Sequence, residues 1–482
     1  MSLAFQLRRL ARHSAIYGLG GILSRLLAVF LLPLYTAYLG TEGFGKIETI
    51  TALTTVLVIV LSAGISSAFF RFYFDSKDEE RRTRVVRTSF WFVMAMATLG
   101  LVVGFAFATP IAHVLRLGDD PWLVRAGAIG LWAQMNYAQL TNLFRAEERS
   151  VAFVIASIAN ILITVGMTVL LVVGLHKGPT GAVVGNFIGT LAVYLVLLGY
   201  RRYQLGLEFD RKLLRQMNRF GLPLVPSALA LWAINFIDRF FIAVYKGQAE
   251  VGVYSLAVRA ASVIVFLMIA FRLAWPAFAY SIEDDAAAKR TYSFVLTYLL
   301  FVCCWISLAL GALAPWIVQI LAPTKPAFHR ADEAVGILSF ASTAYAGYTV
   351  LAIGIGRARQ TQFNWIISGV AAAINIGLNF VLIPPYGMMG AAVSTLVAYL
   401  ALFVGMALNS QRVYPVPYQW RRVVMLSTVA VVLTTVGYEL RSLPVSLALC
   451  VAYPLLLLPL GFYLPAERAR LRRLVPILPI RG

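Results

Sequence analysis

Apolar runs of about 18 or more residues recur along the whole of this 482-residue chain, and no other feature constrains its fold as strongly. A run of that length is what an α-helix needs to cross the hydrocarbon core of a bilayer. Inside lipid every backbone N–H and C=O must find a partner within the protein, so helices are one of the two structures that can cross, with closed barrels the other. Barrel strands alternate and never give long unbroken apolar runs, which excludes the second. Composition agrees: 60% of residues are hydrophobic and 13% charged, with a mean hydropathy of +0.80. Soluble domains are nearer half apolar and a quarter charged. The N-terminal "RRLARH" is followed by a long apolar run without a small-residue cleavage site, so no cleavable signal peptide is expected.

The expected fold is an all-α polytopic membrane protein with about fourteen transmembrane helices. They are placed near 13–39, 47–72, 88–115, 122–145, 150–175, 179–200, 221–245, 251–280, 291–322, 334–356, 362–383, 387–408, 422–440 and 443–464. With the N-terminus in the cytoplasm, most of the 41 Lys and Arg residues fall in loops and tails on that side. Only Lys46, Arg116, Arg125, Lys177, Lys246, Lys325, Arg330 and Arg441 lie in loops facing out. Cytoplasmic loops carry such an excess, so both termini are expected in the cytoplasm. The same bias explains the net charge of +20 without invoking nucleic acid. Cys303, Cys304 and Cys450 lie in apolar runs and His13, His113, His176 and His329 are scattered, so neither disulfides nor a metal site are expected. No loop is long enough to form a domain. The stretch 200–219 reads as an amphipathic helix lying on an anionic leaflet.

That stretch separates two halves that resemble each other. "YLGTEGFGKIE" (38–48) answers to "YKGQAEVGVYS" (245–255), pairing Gly40 with Gly247 and Gly45 with Gly252. "TGAVVGNFIGTLAVYL" (180–195) answers to "MGAAVSTLVAYL" (389–400), and "FRAEERSVAFVIASIANI" (144–161) to "GRARQTQFNWIISGVAAAINI" (356–376). Parallel repeats of this kind suit a transporter whose halves move about a central site. The expected divisions are a six-helix lobe over 1–200, a cytoplasmic linker over 201–220, a second six-helix lobe over 221–410, and two extra helices with a basic tail over 411–482.

"LGTEGFG" and "NFIDRFFIAVYKGQAEVGVYSLAVRAAS" (235–262) resemble the polysaccharide transporter family, the bacterial flippases of lipid-linked oligosaccharides. It belongs to the multidrug/oligosaccharidyl-lipid/polysaccharide superfamily, which also holds MATE drug exporters and lipid II flippases. The resemblance covers about residues 10–410. It implies two six-helix lobes related by a pseudo-two-fold axis and an alternating-access flippase in the bacterial inner membrane. The implied substrate is an undecaprenyl-diphosphate-linked repeat unit, and a polysaccharide polymerase and membrane lipids are the further expected partners. No cofactor is expected; coupling to an H+ or Na+ gradient is left open.

Charges at membrane depth are costly and mark functional or packing sites. Arg25 lies near the midplane of the first span, where it offers a bidentate fork to phosphate or a salt bridge between helices. It also resembles a cavity arginine of the lipid II flippase branch. Asp238 and Arg239 are adjacent, so they point about 100° apart on a helix and are not expected to pair. Folding the hairpin about residue 248 brings Asp238 level with Arg259, as an ion pair that fixes packing or switches between states. Arg239 is then left for the cavity. Arg272, near the inner end of its span, either snorkels or contacts a cytoplasmic gate. Gln134, Asn136, Gln139 and Asn142 mark an amide-rich face that serves either helix contacts or sugar hydroxyls. Asn160, Asn375 and Asn379 read the same way. Pro33, Pro223 and Pro226 can break or bend their helices.

Four arginines against one carboxylate, Asp238, favour an anionic diphosphate substrate. The alternatives weighed are a lipid II-type flippase, a MATE-like cation antiporter, which needs buried carboxylates, and a membrane glycosyltransferase, which needs an acidic motif on a sizeable loop. The chain is not expected to be an enzyme.

Overall fold

The structure is a computed structural model that describes residues 31–465 and 467, apart from 77, 119, 120, 203, 204 and 359–362. The described residues form helices and connecting turns, with no strand among them. In chain order the helices are α1 (Leu32–Ser62), α2 (Ile65–Phe74), α3 (Glu79–Ala106), α4 (Ala108–Val114), α5 (Pro121–Ala146), α6 (Ser150–Val169, continued by a π turn over Leu170–Gly174) and α7 (Gly178–Arg201). Then follow α8 (Arg211–Gly221), α9 (Val225–Lys246), α10 (Gln248–Ala261), α11 (Val263–Ser281), α12 (Asp285–Ala312) and α13 (Ala314–Leu321). The last are α14 (Asp332–Arg357), α15 (Asn364–Tyr386), α16 (Met388–Val413), α17 (Trp420–Leu440) and α18 (Leu443–Leu456).

The chain is an all-α multi-pass membrane protein, but the count of fourteen spans needs correction. Among the described residues ten helices are long and apolar enough to cross, or eleven if the bent pair Gln248–Ala261 and Val263–Ile269, inclined at 45°, is one span. Three expected spans account for the difference. The first lies almost wholly outside the described residues. The fourth forms as α5, whose 26 residues suffice in length but whose Arg125, Gln134, Asn136, Gln139 and Asn142 lower its hydropathy. The fourteenth forms as α18, whose 14 residues are too short.

By contacts the described residues divide into two units. One comprises those within Met1–Ser255, Leu321–Phe328 and Ser368–Ala391; the other, those within Leu256–Ile320, His329–Ile367 and Ala392–Gly482. The first unit has a core of Ile65, Phe69, Phe90, Leu131, Phe144 and Tyr194, drawn from α2, α3, α5 and α7. Helix α8 is capped by Asp210, whose carboxylate accepts from the backbone N–H groups of Lys212 (2.8 Å) and Leu213 (3.0 Å). Its buried Leu213 and Met217 belong to this core, so the apolar face of the expected surface helix packs on protein. Pro223 occupies a 3-10 turn and Pro226 the first turn of α9, where a missing N–H costs nothing.

The second unit packs α12 against α14 and α17 around Tyr292, Leu296, Leu308, Leu338 and Leu426, with Cys303 and Cys304 buried as free thiols. Ser307 and Thr343 hydroxyls meet at 2.9 Å. Arg422 donates to Gln419 Oε1 (2.5 Å) and Glu467 Oε2 (3.0 Å) and lies 4.4 Å from the Phe462 ring centre.

The repeat inferred from loop sequences recurs in backbone geometry. Gly40 (φ 66°, ψ −173°) interrupts α1, and Gly247 (φ 89°, ψ 172°) separates α9 from α10 with nearly the same dihedrals. Only glycine adopts that region readily. Gly178 (φ 58°) and Gly387 (φ 56°), at the starts of α7 and α16, form a second matched pair.

Candidate functional site

The "NFIDRFF" stretch forms part of α9 in the first unit, and Gly247 turns the chain back into α10. This return sets Tyr254 of α10 against Asp238, whose Oδ2 accepts the Tyr254 hydroxyl hydrogen bond. Asp238 Oδ1 accepts from the backbone N–H of Arg239 (2.9 Å). The Arg239 guanidinium donates through Nη1 to the carbonyl of Asn235 (2.8 Å) and lies 4.9 Å from the Phe236 ring centre. Its Nη1 is also 3.5 Å from Asp238 Oδ1, and its Nε is 3.5 Å from Glu48 Oε2 of α1.

Glu48, Asp238 and Arg239 are 3%, 1% and 3% exposed, so the cluster is shielded from lipid and water alike. The adjacent pair expected not to meet does meet. The backbone directions differ by about 100°, but the long guanidinium stem folds back along the helix to its own neighbour. Arg239, expected to be left for the cavity, is instead taken up by this cluster. At this separation and an effective dielectric of about 20 each ionic contact is worth about 4–5 kcal/mol, against a desolvation cost of several. The cluster therefore fixes how α1 meets α9. Sequence reasoning misses Glu48 because it closes the stretch "TEGFGKIE", which reads as the end of a hairpin. Its signal is the uninterrupted helix from Gly43 onward into the apolar run. Asp238 is thus not the sole buried carboxylate. Arg259, its expected partner, lies on the part of α10 assigned to the second unit.

Arg25 lies outside the described residues. Arg272 of α11 is exposed and donates through Nη1 to the Tyr345 hydroxyl of α14 (3.3 Å). The Tyr345 ring stacks on Tyr348 at 5.8 Å and leans on Tyr399 at 5.3 Å. A cation beside three phenol rings can hold a phosphate by charge and a sugar by its flat apolar face. The sequence reading finds the arginine but not its tyrosines, which are separated from it by more than a helix.

The amides of α5 bond within the first unit. Gln139 Nε2 donates to Ser89 Oγ (2.8 Å), Asn136 Nδ2 to the Trp132 carbonyl (2.8 Å), and Asn142 Oδ1 accepts from Arg145 (3.3 Å). Gln134 is exposed while the other three are buried. Asn160 Oδ1 accepts from Thr164 and Thr190 (both 3.2 Å), and Asn379 donates to Asn375 (3.2 Å). Among the described residues no group of three or more His, Cys, Asp or Glu side chains could hold a metal.

The family model described as "Polysaccharide biosynthesis protein" matches residues 10–281, and that described as MatE matches residues 223–381. The succinoglycan biosynthesis transport protein ExoT of Rhizobium meliloti (strain 1021) is 23% identical over 236 residues, which are 48% of this chain and 46% of that protein. Lsg locus putative protein 1 of Haemophilus influenzae is 24% identical over 280 residues, 52% of this chain and 61% of that protein. The chain thus spans about half the length of these curated relatives. Its fold is similar to that of the lipid II flippase MurJ in an inward closed conformation, with TM-score 0.74 and 12% identity, covering 93% of this chain and 100% of that one. It is also similar to an inward-facing MATE family multidrug transporter, with TM-score 0.60 and 13% identity, covering 81% and 97%.

Proposed function

Because this chain belongs to the polysaccharide biosynthesis protein family, we propose that it is a flippase carrying an undecaprenyl-diphosphate-linked oligosaccharide across the bacterial inner membrane by alternating access. The observation that carries this reading is the family match over residues 10–281, and the transport role in the name of the Rhizobium relative supports it. The chemistry is consistent. A diphosphate must pass an apolar midplane and needs compensating charge there, which Arg25 supplies in this reading. Arg272 with Tyr345, Tyr348 and Tyr399 offers charge and ring faces to the phosphate and first sugars as they enter from the cytoplasmic side. The buried carboxylates Glu48 and Asp238 are both held by Arg239, which argues against their serving as a drug-cation site. Both termini face the cytoplasm in this reading.

The test is a strain lacking this gene, complemented with the chain. The expected outcome is restored surface polysaccharide and loss of the lipid-linked oligosaccharide that accumulates on the cytoplasmic leaflet. Rescue of a lipid II flippase defect, or altered drug resistance with no change in the glycan lipid, would overturn it in favour of those activities.

A further inference from the structure

Each unit carries a cavity at the start of a long apolar helix, and the two cavities occupy corresponding positions of the repeat. The first, about 390 Å³, is lined on α3 by Glu79, Arg82, Thr83, Val86 and Arg87. The second, about 400 Å³, is lined on α12 by Ala286, Lys289, Arg290, Ser293 and Phe294. Each α12 position is the α3 position plus 207, the interval that also relates Gly40 to Gly247. Both helices begin at an aspartate whose carboxylate accepts from a backbone N–H, Asp78 from Glu80 (3.1 Å) and Asp284 from Ala287 (2.8 Å). Both helices are apolar enough to cross the membrane. The cavities therefore sit within the first turns of two helices able to span; under the topology expected from the Lys/Arg distribution, this is the level of the lipid headgroups on the cytoplasmic side.

The lining charges balance in the first cavity, Arg82 and Arg87 against Glu79 and Glu147, and are Lys289 and Arg290 in the second; the ion-pair partners around the linings add the excess. In the first cavity Arg82 is anchored, donating through Nε to the carbonyls of Tyr73 (3.2 Å) and Ser76 (2.9 Å). Arg87 bonds Glu208 at 2.9 Å. Glu147, at the cavity wall, is held by Arg201 (2.6 Å) and Arg149 (3.3 Å). Counted with these partners from outside the lining, four guanidinium groups stand against Glu79, Glu147 and Glu208. In the second, Lys289 bonds Asp285 (2.9 Å), Arg357 approaches the same carboxylate (3.6 Å), and Arg290 is exposed. Three cations there meet one acid.

We propose that the two cavities are paired sites for the phosphate headgroup of an anionic phospholipid, one in each unit. A phosphodiester brings a single negative charge, which suits a small positive excess. A zwitterionic headgroup would add an ammonium to surroundings that are already cationic. The depth selects a lipid over a soluble phosphate, because its acyl chains continue along the apolar part of the same helix.

The test uses the full chain, purified in detergent, delipidated and titrated with phosphatidylglycerol, phosphatidylethanolamine or inorganic phosphate, with retained lipids counted by native mass spectrometry. Two phosphatidylglycerol molecules per chain are expected, with phosphatidylethanolamine about fivefold weaker or more, the effect of one basic residue near an anionic surface. Arg87→Gln should remove one, Arg290→Gln the other, and the double variant both. Lys289→Gln is a second variant of the α12 site should Arg290→Gln misfold. Equal retention of both lipids, full retention by the variants, or displacement of the lipid by millimolar phosphate would each overturn the proposal.

Discussion

Gly45 and Gly252 face each other with reciprocal neighbours: a Cβ on Gly45 would overlap the backbone carbonyl of Gln248, and a Cβ on Gly252 would overlap that of Thr41. Thr41 and Gln248 are themselves related by the interval of 207 that relates the two glycines. A contact in which each side repeats the other is what a two-fold relation between equal segments produces. The local two-fold is therefore built into the helix starts after Gly40 and Gly247.

Gly45→Ala and Gly252→Ala should each destabilise the protein by about 1–3 kcal/mol, because the new methyl meets backbone that cannot rotate away. The melting temperature in detergent reads this out. The double variant should lose less than the sum, since one displacement of the two segments relieves both overlaps. Strict additivity would mean that the contacts are independent and the two-fold reading is wrong.

Arg239→Gln should cost about 3–5 kcal/mol, since it leaves the carboxylates of Glu48 and Asp238 buried without the cation beside them. Glu48→Gln should cost less, and adding it to Arg239→Gln should recover part of the loss. A coupling of about 0.5–3 kcal/mol between the two positions is expected from a double-mutant cycle on thermal stability. A coupling near zero would separate Glu48 from the cluster.

What can be read from the sequence follows from which physical signal is local. Apolar runs and turn glycines are local, so the helical class and the Gly40–Gly247 correspondence are both legible in the order of residues alone. The depth of Asp238 is legible for the same reason. The second carboxylate on Arg239 is not, because Glu48 is 191 residues away from it by number and sits beside polar neighbours that hide its burial. The fourteen-span count fails at α5 and α18 for opposite reasons. Helix α5 buries Asn136 and Gln139 against other helices, so its surface need not be apolar. The apolar run at 443–464 breaks at Leu456 after the internal Pro454, before it reaches spanning length.

The Lys/Arg distribution makes a topological prediction. Protease sites added at either terminus should be cut only from the cytoplasmic side of sealed vesicles, and a site at Lys325 only from the opposite side. A terminus cut from outside would reverse the assignment and would move both headgroup cavities to the other leaflet.

The final prediction concerns Arg272 and its tyrosines. If the guanidinium takes up the diphosphate, charge and fork geometry contribute separately. Arg272→Lys keeps the charge and should retain part of the transport, while Arg272→Ala should lose about tenfold or more, the equivalent of one charge-assisted hydrogen bond of about 1.5–3 kcal/mol. Tyr345→Phe removes only the hydroxyl that accepts from Arg272, so it should act through the arginine's position and cost less than Arg272→Ala. Tyr345→Ala also removes the ring that stacks on Tyr348 and leans on Tyr399, and should weaken selection among glycans with different first sugars. The measurement is the rate of lipid-linked oligosaccharide translocation into reconstituted vesicles at matched protein content. Normal rates for Arg272→Ala would make the arginine a snorkelling residue at the membrane edge. Equal losses for Tyr345→Phe and Tyr345→Ala would assign the tyrosine to positioning Arg272 rather than to contact with sugar.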